Sequence, residues 1–443
     1  MKVIILVNLL LIITSTLQNY LMVYSQSEPL AKLWNVTDNE VVTLLELERN
    51  LTMVDGLLQP ILEEYNTSFG GTYINVLMNC IFVYTVDSTK IDIIKSRMDP
   101  YSHFLNFTSA TNSLVALRNA FDGVSEQAQR LKPFIVYCFI DIEFNNVGLF
   151  LYKYYNNSNR EFLEAIQQYN VTFHYLDKRK LHSIQNDVDV YNIIARDIKT
   201  PIIDVQSDDN ITARNIKLPI LGGEGIYNLD DHLECSAGFG AKRKDKEDYF
   251  IITAGHCTKT KFNTIFKLFS WNENTTGPTI GFMLRHQIEP IDIGAIFIGS
   301  DKYEPSMLIR NTDTIQNKEL ITYDVSVSSS YGTHLCKSGR TTHVTCGYVK
   351  GLNGFFTDDK KQFNGQVTFT NIFGEKGDSG GPGFSYKQDL RSVSLNSITV
   401  AGVNRAGVQL HILLPIEPME QFLRNDNLEI ILYDNPTGIY YRT

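Results

Sequence analysis

From Ile220 onward the chain is written in short apolar runs cut apart by Gly, Asn, Asp and Ser: "YFIITAG", "TIFKLFSW", "TIGFML", "IDIGAIFIG", "ITYDVSVSS", "QVTFTNIFG", "ITVAGVNRAG" and "VQLHILLP". Each run is long enough for one strand and too short for a helix. Many such runs at near-regular spacing predict an all-β barrel or sandwich. Only "PIEPMEQFLRN" near the end reads as helix, with Pro415 and Pro418 where a first turn tolerates proline.

The residues before this region follow a different pattern. "TDNEVVTLLELERNLTMVDGLLQPILEEYN" carries apolar residues at helical spacing behind a Thr37 or Asp38 cap. "YINVLMNCIFVYTVD" and "PFIVYCFIDIEFNNVGLFLYKY" read as strand pairs, with helical stretches "ATNSLVALRNAFDGVSEQAQRL" and "SNREFLEAIQQY" between and after them. Helix and hairpin in the same order twice predict two small α/β lobes. The stretch from about Lys180 to Ile220 has little pattern and reads as a connector. "DKRK" at its start is either an exposed cleavage site or a solvated charge cluster.

A chain of 443 residues exceeds one compact core, so two or three domains are expected. The opening "MKVIILVNLLLIITSTLQNYLMVYSQS" places Lys2 before an uncharged run from Val3 to Ile13, then small and polar residues, which is the shape of a secretory signal peptide over 1–25. An uncleaved anchor is the alternative, and no later run is long enough to span a bilayer. Eight Asn-x-Ser/Thr triplets agree with export: Asn35, Asn50, Asn66, Asn106, Asn156, Asn170, Asn210 and Asn274. A net charge of -9 and the absence of a basic stretch longer than "KRK" argue against nucleic acid as a partner.

Six cysteines in an exported chain can form disulfides. No Cys-x-x-Cys pair or histidine cluster is present, so no metal and no cofactor is expected. Local pairing of Cys235 with Cys257 and of Cys336 with Cys346 is the economical choice. Cys80 and Cys138 either pair with each other or stay as two buried thiols on strands.

Two stretches carry chemistry. "FIITAGHCT" ends an apolar strand in a small-residue turn that presents His256 beside Cys257, and "GEKGDSGGPGF" surrounds Ser379 with glycines that a strand interior does not need. A serine hydroxyl becomes a nucleophile only when a base takes its proton and a third group orients the base. His256, Asp292 in "PIDIGAIFIG" and Ser379 supply that set in the order His, Asp, Ser. Asp292 is favoured because it heads an apolar strand, and Asp301 and Asp313 are the alternatives.

With "TAGHC" followed downstream by "GDSGGP", the chain resembles the chymotrypsin-like serine proteases. "CSAGFGAKRKDKEDYFIITAGHC" and "LCKSGRTTHVTCGYV" are similar to the streptogrisin and α-lytic protease branch, whose secreted members carry a long pro-region. "LPILGGEGIY" resembles the start of the mature enzyme, and "FIVYCFIDIEFNNVGLFL" weakly resembles a strand pair of the pro-region. The resemblance is good over roughly 217–423 and faint over 65–175.

That resemblance implies an all-β protease domain of two six-stranded antiparallel barrels with a C-terminal helix over 220–443, preceded by an α+β pro-region over 26–219 that is cut away near Arg214 to Leu221. It makes His256 the general base, Asp292 its orienting partner and Ser379 the nucleophile, with the N–H groups of Gly377 and Ser379 as oxyanion hole. The Cys235–Cys257 and Cys336–Cys346 bridges match family disulfides. The substrates are polypeptides, and the pro-region acts as intramolecular chaperone and inhibitor. The product is a secreted, extracellular enzyme, free of the membrane once the signal is removed.

Two features depart from that pattern. Phe373 stands where relatives often have a cysteine six residues before the nucleophile, and "GVNRAG", with Val403, Asn404, Arg405 and Gly407, replaces a small-residue segment along the substrate pocket. No acid occupies the Phe373 position, so a trypsin-like preference has no support; Arg405 either favours an acidic substrate side chain or narrows the cleft. The second reading is a catalytically inert, secreted binding protein that keeps the fold. An α/β-hydrolase is excluded by the order of residues and the dominance of strands, and no His-Glu-x-x-His motif points to a metalloprotease.

Overall fold

The computed structural model describes residues 28–176, 217–259, 263–314, 316–405 and 407–433. The signal peptide expected over 1–25, most of the connector with "DKRK" and Arg214, Asn210 and Ala406 lie outside the described residues.

The N-terminal region opens with α1 (Pro29–Trp34) and α2 (Asp38–Glu63). α2 starts at a capping box, in which Glu40 Oε2 accepts the Thr37 N–H at 2.9 Å. Then come β1 (Phe69–Asn75), β2 (Cys80–Thr85), α3 (Ile91–Arg97) and β3 (Leu105–Ser109). β1 and β2 form a hairpin, and β3 returns parallel to β2 after α3. After α4 (Leu114–Leu131) the plan repeats: β4 (Val136–Asp141) and β5 (Asn146–Leu151) form a hairpin, and β6 (Val171–Tyr175) returns parallel to β5 after α5 (Arg160–Ala165). The helix-then-hairpin order expected twice is present twice, and the parallel return strands β3 and β6 are additions to it.

Next, β7 (Leu218–Gly222) leads into the first C-terminal lobe: β8 (Gly225–Asn228), β9 (Leu233–Ser236), β10 (Phe239–Arg243), β11 (Tyr249–Thr253), β12 (Thr264–Leu268), β13 (Thr279–Gln287) and β14 (Ile293–Ile298). These seven pair antiparallel in one curled sheet, and Ala237 N–H to Glu224 O at 2.8 Å draws the β9–β10 link back to the start of β8. β15 (Tyr303–Arg310) and β16 (Glu319–Val325) connect the lobes, β15 running parallel to β7 and β16 parallel to β21. The second lobe holds β17 (His334–Gly339), β18 (His343–Thr357), β19 (Phe363–Thr370), β20 (Pro382–Tyr386), β21 (Ser392–Arg405) and β22 (Val408–Pro415). Its pairings run β17–β18–β19–β22–β21–β20 and back to β17, a closed six-stranded antiparallel barrel. α6 (Ile416–Asn425) follows and buries Ile416, Met419, Phe422 and Leu423; β23 (Leu428–Ile430) adds to β10, so the first sheet has eight strands rather than six.

The fold is chymotrypsin-like in the C-terminal part, with an α+β region ahead of it. The two parts share structure. β4 pairs antiparallel with β18, with Phe355 opposite Cys138, so the second N-terminal lobe extends the barrel sheet. At the other end Leu30, Ala31, Trp34, Val41 and Leu45 share one apolar cluster with Leu320, Phe384 and Val393. Glu48 of α2 reaches into the same seam. It accepts the His334 N–H at 2.8 Å and bonds His334 Nδ1, while His334 Nε2 accepts the Tyr386 N–H at 3.0 Å.

Both local disulfides form, Cys235–Cys257 and Cys336–Cys346, the latter between directly opposed residues of β17 and β18. The Cys80–Cys138 pairing does not: both are free thiols. The reason is topological, because Cys80 opens β2 in the first N-terminal sheet while Cys138 is buried in β4 against β18.

Candidate active site

β11 ends at Thr253, and the chain turns through Gly255–Cys257. A Cβ on Gly255 would stand 2.1 Å from Gln287 O, so only glycine lets this turn lie against the ends of β13 and β14. The turn therefore brings His256 beside Asp292, which is 4% exposed at the entrance of β14. Asp292 Oδ1 accepts the His256 backbone N–H at 2.9 Å and Oδ2 meets His256 Nδ1 at 2.5 Å. One carboxylate thus fixes the ring and its backbone together. Burial pushes the His256 pKa down, but the charge and hydrogen bond of Asp292 outweigh it and leave the net shift upward. Asp301 stays exposed in a turn and Asp313 instead pairs with His343 Nδ1 at 2.6 Å.

Ser379 sits on a loop pinned from several sides. Ser236 N–H donates to Ser379 O at 2.7 Å, and Ser236 Oγ donates to Gly377 O at 2.7 Å. A Cβ on Gly380, which has φ +87°, would stand 1.9 Å from Thr253 Oγ1, so glycine is needed for the loop to reach the end of β11. The carbonyls of the two peptide units that carry the Gly377 and Ser379 N–H groups are also tied: Lys376 O accepts from Thr341 Oγ1 at 2.7 Å and Asp378 O from Gly381 N–H at 3.0 Å. A trans peptide points N–H opposite C=O. Both N–H groups accordingly face away from these anchors, and neither has an acceptor among the described residues.

Beneath the loop, Asp378 and Lys337 are both fully buried and 3.1 Å apart. Asp378 also accepts N–H bonds from Thr341 at 2.9 Å, Thr342 at 3.0 Å and Glu375 at 3.0 Å. Burial raises its pKa, and Lys337 together with these donors brings it back below the usual carboxylate range.

A cavity of about 440 Å³ opens beside Ser379, lined by Gly374, Lys376, Thr399, Gly402, Asn404 and His411 among others. Of the pocket residues expected from sequence, Asn404 lines it. Val403 points into the core at 6% exposure because it alternates with Gly402 and Asn404 along β21. Phe373 is 38% exposed one residue before the lining, Gly407 has no atom near its Cβ position, and the Arg405 guanidinium lies 6.0 Å from the Tyr152 ring centroid of the N-terminal region. Sequence reading missed Ser236, Thr341, Lys337 and His411. Each acts through a partner more than 30 residues away or on another strand, and local pattern carries no sign of that.

Ser379 Oγ makes no hydrogen bond to His256 among the described residues. The sulfurs of Cys235 and Cys257 lie near His256, but their disulfide leaves no thiolate to hold a metal. What the arrangement offers is an oriented imidazole, a serine on a rigid loop and two unpartnered N–H donors, the parts of acyl transfer.

The chain is 28% identical over 177 residues to Streptogrisin-C of Streptomyces griseus. It resembles the streptogrisins. The match covers 38% of this chain and 33% of Streptogrisin-C, so the chain spans about a third of the curated relative. No family model matches. Among solved structures, Thermobifida fusca Protease A aligns at 21% identity and a TM-score of 0.38, covering 49% of this chain and 100% of its own. Nocardiopsis Protease aligns at 21% and 0.39, covering 48% and 99%.

Proposed function

We propose that the protein is a secreted serine endopeptidase made as a zymogen. The observation that carries this is the double hold of Asp292 on His256, in a turn whose Cys257 Sγ lies 3.9 Å from Ser379 O, together with a serine loop whose two N–H donors have tied carbonyls and no acceptor among the described residues. In this reading Ser379 Oγ attacks the scissile carbonyl carbon as His256 Nε2 takes its proton. The oxyanion is received by Gly377 and Ser379 N–H, a contribution of about 3–4 kcal/mol per donor in comparable sites. Collapse breaks the C–N bond, His256 gives its proton to the leaving amine, and water repeats the sequence to release the acyl group.

The region 26–219 acts as pro-region: it assists folding of a β-rich chain of high contact order and holds the enzyme inactive until it is cut. Tyr152 beside Arg405, and Leu176 in the same apolar cluster as Val403, hold it against β21, whose Gly402 and Asn404 line the cavity. A second reading, an inert protease-fold binding protein, is favoured by one observation, the unmade Ser379–His256 hydrogen bond. Apo sites often tighten such bonds only on substrate binding.

The test is a fluorophosphonate probe on the secreted protein and on Ser379→Ala, each followed by intact mass. Labelling of a fragment starting near Ile220, lost in the variant, supports the enzyme. A chain that stays unlabelled after cleavage of the 177–216 segment supports the inert reading.

A further inference from the structure

The cavity beside Ser379 has an exposed rim and a buried polar floor. Lys376, Gly402 and Asn404 are exposed, whereas Thr399 and His411 are 2% and 3% exposed. The His411 ring is fitted between two glycines. A Cβ on Gly374 would stand 2.5 Å from Nδ1 and Cε1, and one on Gly402 would stand 3.4 Å from Nδ1. Nε2 meets Thr399 Oγ1 at 3.2 Å, and Nδ1, on the edge turned toward these two lining residues, has no partner among the described residues.

Charge around the ring is balanced. Lys337 behind it is matched by Asp378, Glu375 and Lys376 stand together on the rim, and the positions paired with His411 on β19 and β21 are Thr370 and Gly402. Burial, then the Lys337 charge, pushes the His411 pKa down to about 3, so the ring is neutral at pH 7. The floor is therefore an uncharged hydrogen-bonding surface. A carboxylate that reaches this floor loses its hydration against a neutral ring, since the lining cation Lys376 stands on the exposed rim beside Glu375, and an aliphatic side chain leaves Nδ1 unpaired. A carboxamide satisfies either tautomer: its NH₂ donates to a bare Nδ1, or its oxygen accepts from Nδ1–H.

We propose that this cavity takes a neutral carboxamide side chain, Gln or Asn, on the residue before the scissile bond, with His411 as the specificity-determining residue. This rests on the endopeptidase reading above. The test uses the full chain after cleavage of its 177–216 segment, with one aliquot titrated with fluorophosphonate to count competent Ser379. A second, untreated aliquot is assayed on peptides that differ only in Gln, Asn, Glu, Leu or Lys before the bond. Expected is a kcat/KM for the better carboxamide roughly tenfold or more above Glu and Leu at pH 8.

The Glu-to-Gln ratio rises as pH falls toward the ordinary glutamate pKa of about 4.3, since the protonated acid mimics the amide; His256 cancels in the ratio. His411→Leu moves the preference to Leu. If that variant does not fold, Thr399→Val, which frees the ring from its partner, narrows the Gln-to-Leu ratio. A preparation whose titrated aliquot takes the label and whose untreated aliquot prefers Glu, Leu or Lys, or shows a Glu-to-Gln ratio flat with pH, overturns the proposal while leaving the endopeptidase standing. An enzyme that takes no label overturns both.

Discussion

Lys337 and Asp378 face each other at 3.1 Å with neither side chain reaching solvent, directly under the loop that carries Ser379. The pair holds the peptide units around Gly377 and Ser379 through Asp378, which also binds Thr341, Thr342 and Glu375. Lys337→Met removes the cation and strands a buried carboxylate, which costs about 3–5 kcal/mol. Urea unfolding is expected to show that loss, and fluorophosphonate labelling of Ser379 to fall with it. A variant as stable and as readily labelled as wild type would refute the role of the pair.

Gly380 and Gly407 both have positive φ but differ in surroundings, +87° against Thr253 Oγ1 and +79° with nothing within 4 Å. Gly407→Ala is expected to cost about 1 kcal/mol from backbone strain alone. Gly380→Ala must also displace the loop from β11, so labelling at Ser379 should drop at least tenfold. Equal behaviour of the two variants in a thermal melt and a labelling time course would show that the close approach is unimportant.

The upward shift of His256 sets the acid limb of activity. In the proposed mechanism His256 works as base only when neutral, so kcat/KM should rise with pH around a midpoint above the ~6.5 of an unperturbed imidazole. Asp292→Asn should lower that midpoint and reduce kcat by on the order of 10⁴. A larger loss from Asp301→Asn or Asp313→Asn would reassign the partner.

The seam between α2 and the barrel should behave as a core contact. Trp34→Ala is expected to cost about 3–5 kcal/mol. Glu48→Ala, which leaves the His334 N–H groups unpaired, should cost about 1–3 kcal/mol. After cleavage within 177–216, the two wild-type pieces should elute together in size-exclusion chromatography and the Trp34→Ala pieces apart. Co-elution of both would mean the β4–β18 pairing suffices by itself.

Thiol titration checks the cysteines. The unfolded, unreduced chain should give two reactive thiols, Cys80 and Cys138, and the folded chain should protect Cys138, whose thiol burial makes harder to ionise. No reactive thiol on unfolding would restore the Cys80–Cys138 bridge.

What the sequence conveys is local. The strand runs, the C-terminal helix and the turn presenting His256 are written in consecutive residues, and Asp292 stood out because an apolar strand begins right after it. Contacts that depend on register are not written there. Nothing in "VQLHILLP" says that His411 faces inward between Gly374 and Gly402, and nothing near Ser236 says that its hydroxyl meets Gly377 O. The sequence places Val403 in the pocket wrongly for the same reason: one step along β21 turns a side chain from cleft to core.

The pairing of β4 with β18 also has a consequence in time. Val136 N–H is bonded to Thr357 Oγ1, a partner 221 residues later in the chain. At about 5–20 residues per second of synthesis, roughly 10–45 s separate the emergence of the two. For that interval the hairpin β4–β5 stands with one bare edge, the kind that recruits stray strands. The nascent chain must therefore keep a half-built sheet unspoiled until its far end arrives, and the ribosome's pace becomes part of how the barrel is assembled.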